Sequence, residues 1–369
     1  MEHDIRSIAS QFQLDGALVD TGPLGSGHIN DTYGLTCRAG ERTSRYVLQR
    51  INHQVFTDPV AMMDNIRRVT AHIQQTLTNQ GSHLASRQLT VVGTHDDAAV
   101  FRCELGNYWR VYNRIENAVT YDILESPKLA REAASMFGGF QRMLTDLPGP
   151  QLHETIVDFH TTPKRLKAFQ AVLARDPENR AADCRAEIDF IAENAEICGT
   201  LLAHVDTGEI PLRITHNDTK INNVMIDDDT HTGVCVIDLD TVMPGLSLYD
   251  FGDMVRTATN PADEDERNLS KVIMRMDMFE MITEGFVRQT HSFLTPTERK
   301  YLTFAGKLIT FEQMMRFCSD HLAGDVYYKI HRLGHNLDRA RTQMKLMQSI
   351  ISQEDRMNAL VDSVFDRLA

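Results

Sequence analysis

ITHNDTKINNVMI, residues 214–226, is the stretch on which the reading of this chain turns. Ile214 and Thr215 read as a strand end, so the polar residues behind them emerge on a loop. That loop sets His216, Asp218 and Asn223 in the order H-x-D-x-x-x-x-N. Val224-Met225-Ile226, the polar turn Asp227-Asp228-Asp229 and the apolar run Val234 to Ile237 then form a predicted hairpin ending on Asp238, inside VIDLD. Taken singly, each piece has an ordinary reading. A His-x-Asp is usually a capped turn, and an Asp closing a strand is usually a turn former. The ordered set is different, because one loop and one hairpin deliver a carboxylate, an amide and a second carboxylate to the same place.

Around this island the chain changes character. Residues 1–116 hold short β-like runs at 45–51 (RYVLQRI), 88–92, 99–105 and 108–115 (YWRVYNRI), separated by glycines and polar turns as in an antiparallel sheet. One helix interrupts them. Asp58-Pro59 supplies a capping carboxylate and a proline for the first helical position. Met63, Ile66, Val69 or Thr70, Ile73 and Leu77 follow at helical spacing. Residues 117–369 are mostly helical. Leu129, Ala133, Met136, Phe137, Phe140 and Leu144 form a stripe, Thr295-Pro296-Thr297-Glu298 has capping-box spacing, and amphipathic segments cover 183–205, 270–290 and 336–366. The expected fold is α+β and two-lobed: a small antiparallel β-rich N-terminal lobe, a crossing near 115–119, and a large helical lobe.

The spacing of the loop is that of the protein-kinase catalytic loop, in which the Asp accepts the proton of the substrate hydroxyl and the Asn holds a metal. Mg²⁺ takes oxygen ligands, often one or two from protein and the rest from phosphates and water, and Asn223 and Asp238 can supply them. His216 belongs to the same catalytic loop and is read as shaping it through hydrogen bonds. A glycine-rich stretch, Gly22-Pro23-Leu24-Gly25-Ser26-Gly27-His28-Ile29-Asn30, precedes the RYVLQRI strand. Glycines let backbone amides approach phosphates, so Gly25, Gly27 and Asn30 are expected over the nucleotide. In the crossing segment, Glu116 is expected near the adenine edge by analogy of fold.

These residues together resemble the aminoglycoside phosphotransferase and choline kinase superfamily, which shares the protein-kinase fold. GSGHINDTY, YVLQRIN, WRVYNRIEN, THNDTKINN, IDLDTVMPG, YDFGD, EGF and HNL…RTQ…KL look like successive blocks of the bacterial N-acetylhexosamine 1-kinases, from about residue 8 to 350. The resemblance implies phosphorylation of the anomeric hydroxyl of N-acetylglucosamine or N-acetylgalactosamine with ATP and Mg²⁺. It implies Asp218 as base, Asn223 and Asp238 on Mg²⁺, and His28, Arg316 and Tyr327 on the sugar. Protein kinases carry a strand Lys paired with a helix Glu. Here the strand reads Val47-Leu48-Gln49-Arg50 and the helix offers Asp64 or Asn65, so Gln49 and Asn65 are expected to form a neutral pair in its place, with Arg50 on the opposite face. Asp250 and Asp253 of YDFGD are expected to brace the catalytic loop.

Other acceptors fit less well. Choline favours an aromatic cage, and the single tryptophan, Trp109, lies in the small lobe. A polycationic aminoglycoside would be repelled by Arg316. A catalytically dead binding protein would be signalled by loss of Asp218, Asn223 or Asp238, and all three are present. The formal charge of −13 argues against a nucleic-acid partner. No apolar stretch approaches the roughly 20 residues needed to span a bilayer, and MEHDIRSIASQF has no apolar core of a secretory signal. Six scattered cysteines read as free thiols. The expectation is a cytoplasmic enzyme with a small-molecule sugar substrate and no membrane partner.

Overall fold

The computed structural model describes residues 3–25, 29–121 and 126–368. Its small lobe is an antiparallel sheet in the order β1 (Ala17–Pro23), β2 (Asp31–Ala39), β3 (Arg42–Ile51), β6 (Tyr108–Asn113), β4 (Val91–Val92), with β5 (Phe101–Arg102) also paired to β6. Strand alternation sorts the side chains. Leu48, Trp109 and Val111 occupy the outer face and bury themselves with Leu35, Phe12 and the short α1 (Ile5–Ala9). Register pairs Gln49 with Arg110 on the inner face, while Arg50 turns outward to Asp31. The expected runs at 88–92 and 99–105 shrink to two paired residues each, and Gly22 and Pro23 of the glycine-rich stretch close β1.

Helix α2 (Pro59–Asn79) starts as its sequence dictates: the Asp58 carboxylate accepts from the Ala61 N–H at 3.0 Å ahead of Pro59. Its stripe of Met62, Met63, Ile66, Val69, Ile73 and Leu77 is buried in the main core. Beyond Asn113 the chain crosses. Arg87 ties the crossing down, donating to the carbonyls of Glu116 and Asn117 at 3.0 Å each and pairing with Asp227. Strand β7 (Ala118–Val119) then joins the hairpin of β9 (Val224–Asp227) and β10 (Gly233–Val236).

The large lobe packs α3 (Pro127–Met143) against α8 (Met276–Thr290), and α10 (Leu302–Ala323) against α7 (Ser247–Ala258), α11 (His335–Leu368) and α4 (Thr162–Arg175). A Cβ at Gly285 of α8 would sit 2.2 Å from the Arg131 carbonyl of α3, so glycine is what lets these two helices close. The capping box of α9 (Pro296–Lys300) forms as read, with Thr295 and Glu298 bonding reciprocally. The expected segment 183–205 is broken into α5 (Arg185–Glu193) and α6 (Thr200–Asp206) by a 3-10 turn. Strands β8 (Arg213–Thr215) and β11 (Met243–Gly245) pair at the base of the catalytic loop. Among the described residues no helix is long and apolar enough to cross a membrane, and all six cysteines are free.

Candidate active site

The catalytic loop leaves β8 into a bed of buried acceptors. Asp250, in the first turn of α7, is wholly buried. Its two carboxylate oxygens accept from the His216 N–H at 3.0 Å, the Asn217 N–H at 2.7 Å and the Gln141 amide at 2.6 Å. Burial raises its carboxyl above the ordinary value, against the opposing pull of His216 and these donors. Asn217 adopts a left-handed backbone, φ 64°, and its amide donates to the Thr241 carbonyl at 3.0 Å. The Thr219 hydroxyl donates to the Asp250 carbonyl at 2.6 Å. The loop is thus bolted to α7, the bracing role expected for Asp250. Asp253 is likewise internal, paired with Arg256 at 2.8 Å.

His216 is buried between Phe137 and Phe140. Its Nε2 lies 2.9 Å from the Ile237 carbonyl, which requires a proton on that nitrogen, and its Nδ1 accepts from the Asp218 N–H at 3.3 Å. Both ring nitrogens are therefore committed within the protein, with no lone pair left for an acceptor hydroxyl. Asp218 is half-buried at the cleft floor. The Asn223 amide nitrogen donates to its backbone carbonyl at 2.9 Å and approaches its Oδ2 at 3.3 Å, which turns the Asn223 amide oxygen the other way. The Ile237 N–H donates to the Asn223 carbonyl at 2.9 Å, so Asp238 follows one residue beyond that anchor.

Asp238 has a left-handed backbone, φ 59°. It is exposed to solvent at the cleft, although protein atoms crowd its carboxyl. That desolvation, with the carboxylates of Asp240 and Asp218, raises its carboxyl to about 7. A carboxylate so placed gains by meeting a cation. No group of three or more His, Cys, Asp or Glu forms a metal cage among the described residues. One carboxylate and one amide oxygen fit a hard cation that keeps most of its shell for phosphate and water.

Above the floor, Gly25 has φ 70°, a conformation that favours glycine. Gly27 and His28 lie outside the described residues. Asn30 is engaged within the protein: its amide donates to Asp240 at 2.8 Å and its oxygen accepts from the Asn52 N–H at 2.9 Å. Gln49 and Asn65 do not pair, which corrects the sequence-based expectation. Gln49 lies between Thr32 and Arg110, while Asn65 spans the backbone of His153 and Val242. The buried ion pair of this cleft is instead Arg110 with Asp240. The Glu116 side chain pairs at the surface with Arg45 at 3.3 Å, and its carbonyl already accepts from Arg87, so any adenine contact falls to other backbone groups of the crossing.

A wall linked to the catalytic loop through Asn217 comes from α10, α4 and the connecting segments that hold Phe159, His160, Tyr327 and Tyr328. Arg316, on α10, stacks over the rings of Phe159 and Tyr328 at 5.3 and 5.7 Å and donates to Gln313 at 3.1 Å. Tyr327 is 62% exposed, its ring edge-on to Tyr328. His160, invisible to the sequence reading, bridges the Glu312 carboxylate at 2.8 Å and the Asn217 carbonyl at 3.1 Å, linking this wall to the catalytic loop. Burial opposes both charges of that pair, but the contact outweighs it, lifting His160 and lowering Glu312. Arg165 lies close by, its guanidinium held below the ordinary value by burial and by Arg316. Neither Arg165 nor Arg316 is paired with a carboxylate among the described residues.

Against known proteins, the sequence model of the phosphotransferase enzyme family matches residues 20–269. The chain resembles in fold an aminoglycoside phosphotransferase from Alicyclobacillus acidocaldarius, at 14% identity over 100% of this chain and 97% of that one, TM-score 0.57. It also resembles a spectinomycin phosphotransferase solved with ADP and spectinomycin, at 11% identity over 91% and 94%, TM-score 0.53. A third likeness is choline kinase from Cryptosporidium parvum, at 12% identity over 98% of each chain, TM-score 0.50.

Proposed function

The chain belongs to the phosphotransferase enzyme family, and from that premise we propose that it moves the γ-phosphoryl group of ATP to the anomeric hydroxyl of an N-acetylhexosamine, giving a sugar 1-phosphate and ADP. Asp218 orients the acceptor hydroxyl and takes its proton. The sugar oxygen bonds to the γ-phosphorus as the bond from phosphorus to the β–γ bridging oxygen breaks, and the electron pair leaves with ADP. Asn223 and Asp238 would hold a Mg²⁺ ion, whose charge would offset that of the phosphates. His216 and Asp250 hold the loop so that Asp218 meets the hydroxyl without first reorganising.

The observation that carries the choice of acceptor is the pair of neighbouring guanidinium groups, Arg165 and Arg316, which share the charge of one carboxylate, Glu312, itself bound to the His160 that reaches the catalytic loop. Two adjacent cations repel a polycationic aminoglycoside or a quaternary ammonium. They suit a neutral, hydroxyl-rich sugar whose N-acetyl carbonyl accepts a hydrogen bond. Tyr327, exposed beside them, and His28 would contribute further sugar contacts. The sugar is the expected partner, with no nucleic acid or membrane and a cytoplasmic location.

The test is ADP release with Mg·ATP, run in parallel on N-acetylglucosamine, N-acetylgalactosamine, glucose, galactose, choline and kanamycin, with phosphorus NMR on the product. Turnover on the N-acetyl sugars with phosphate on the anomeric carbon is expected. Turnover on choline or kanamycin alone would discard the sugar and keep the kinase.

A further inference from the structure

One network with a buried centre crosses the cleft between the sheet and the catalytic loop. Arg110 reaches from β6 into the space above the turn that follows Asp238. Its guanidinium grips both oxygens of Asp240, with Nη2 to Oδ2 at 3.0 Å and Nη1 on Oδ1. Its Nε donates to Gln49 at 3.0 Å, and Gln49 in turn donates to Thr32 of β2 at 3.1 Å. Asp240 Oδ2 also accepts from Asn30, whose own oxygen receives the Asn52 N–H. Arg110 is 1% exposed and Asp240 3%.

Three parts of the chain, far apart in sequence, meet in this network: the exit of the glycine-rich stretch at Asn30, the sheet at Gln49 and Arg110, and the 3-10 turn Leu239–Thr241 that begins at Asp238. A buried ion pair is poor value as mere stabilisation, because desolvating two charges offsets most of their attraction. What a two-pronged pair does supply is a fixed register between the elements it joins. Asp238 stands two residues from one prong, on a backbone pinned upstream by the Ile237–Asn223 bond and downstream by Asp240.

We propose that Arg110 and Asp240 are positioning residues that lock the exit of the glycine-rich stretch and the Asp238 turn together. They would do here what a strand lysine and helix glutamate do in protein kinases, with the cation moved to the neighbouring strand and its partner placed on the metal-bearing turn. This rests on the kinase reading above. Its consequence is that Asp238 accepts a phosphate-bound cation without rearrangement only while the two-pronged grip is intact.

The experiment measures binding of a non-hydrolysable ATP analogue by calorimetry, with and without Mg²⁺, in the wild type, Arg110→Lys and Asn30→Ala. Arg110→Lys keeps the charge and loses the fork. The gain in affinity that Mg²⁺ confers should fall about tenfold, the range for groups that hold metal ligands from behind, while Mg²⁺-free affinity stays within about twofold. Asn30→Ala removes two hydrogen bonds, to Asp240 and from the Asn52 N–H, and should act in the same direction by about threefold; it decides the matter if Arg110→Lys does not fold. A purely structural role would lower the melting temperature and leave the Mg²⁺ gain untouched in both variants, which would overturn the inference while the kinase reading stood. A wild type that binds no nucleotide would remove both.

Discussion

The floor of the cleft and its acceptor wall are built on opposite plans. On the floor nearly every polar group is committed: Asp250 has three donors, His216 has both nitrogens engaged, and Asn223 is turned by Asp218. On the wall, His160 and Glu312 form one buried, committed pair, but Arg316 is held by two rings and one amide, and Tyr327 stands mostly in solvent. Phosphoryl transfer needs fixed charges, because a group that must reorganise loses its electrostatic advantage. Choice of acceptor is a matter of fit at a surface, where a wall with fewer internal commitments costs little to remodel. We propose on this basis that the floor sets the reaction and the wall its acceptor, and four substitutions can break or sharpen that division.

The largest effect should come from Asp218→Asn. It removes the proton acceptor and leaves the side-chain shape, so kcat should fall about 10³-fold with the melting temperature unchanged. Because His216 has no spare lone pair, residual activity should show no rescue as pH rises through the histidine range. Retention of a tenth of the wild-type kcat would mean the floor does not act through this carboxylate. Next comes Asp250→Asn. An amide offers one oxygen to three donors and turns an N–H toward another N–H, so stability should drop by about 2–4 kcal/mol in urea unfolding, with kcat falling alongside. Unchanged stability would show that the floor is not braced in this way.

How far these features were legible in the sequence follows the same division. His216, Asp218, Asn223 and Asp238 lie within 23 residues of one another, and their spacing carries the chemistry. The large lobe's central helix was harder. Helix α10 is buried over most of its circumference, so it lacks the one-sided stripe that marks an amphipathic helix. The Gln49–Asn65 pair failed because the sequence shows which residues share a strand face but not the register between strands. Only the pairing of Gln49 with Arg110 places the cation in the cleft. The second acid of VIDLD was a signal for Asp240, and nothing local pointed to an arginine 130 residues away. His160 had no signal, because its partners Glu312 and Asn217 are brought to it by packing alone.

On the wall, Arg316→Gln should raise the sugar KM about 10- to 100-fold, the loss of a charge-assisted contact, with kcat within about threefold and the KM for ATP unchanged. That pattern marks binding shared by ground and transition states. A fall in kcat with KM preserved would place Arg316 with the floor and erase the distinction.

The smallest effect tests what the floor costs. Asp238 carries a carboxyl raised to about 7 in the folded chain, from an ordinary value of 3.8, by desolvation and by Asp240 and Asp218. Below about pH 4 the group is protonated in both folded and unfolded chains and contributes nothing unfavourable. As pH climbs toward 7 the unfolded chain ionises freely while the folded one resists, and stability is lost progressively until the folded group ionises too. Asp238→Asn is free of that penalty. Because Asp238 is exposed to solvent at the cleft, that penalty is screened; in the absence of Mg²⁺ the variant should melt about 1 °C above the wild type at pH 8 and match it at pH 4, although it cannot replace the carboxylate in binding the cation. Added Mg·ATP should close the gap by stabilising the wild type alone. Equal melting at both pH values would mean that Asp238 is well solvated, and the floor would then be as relaxed as the wall.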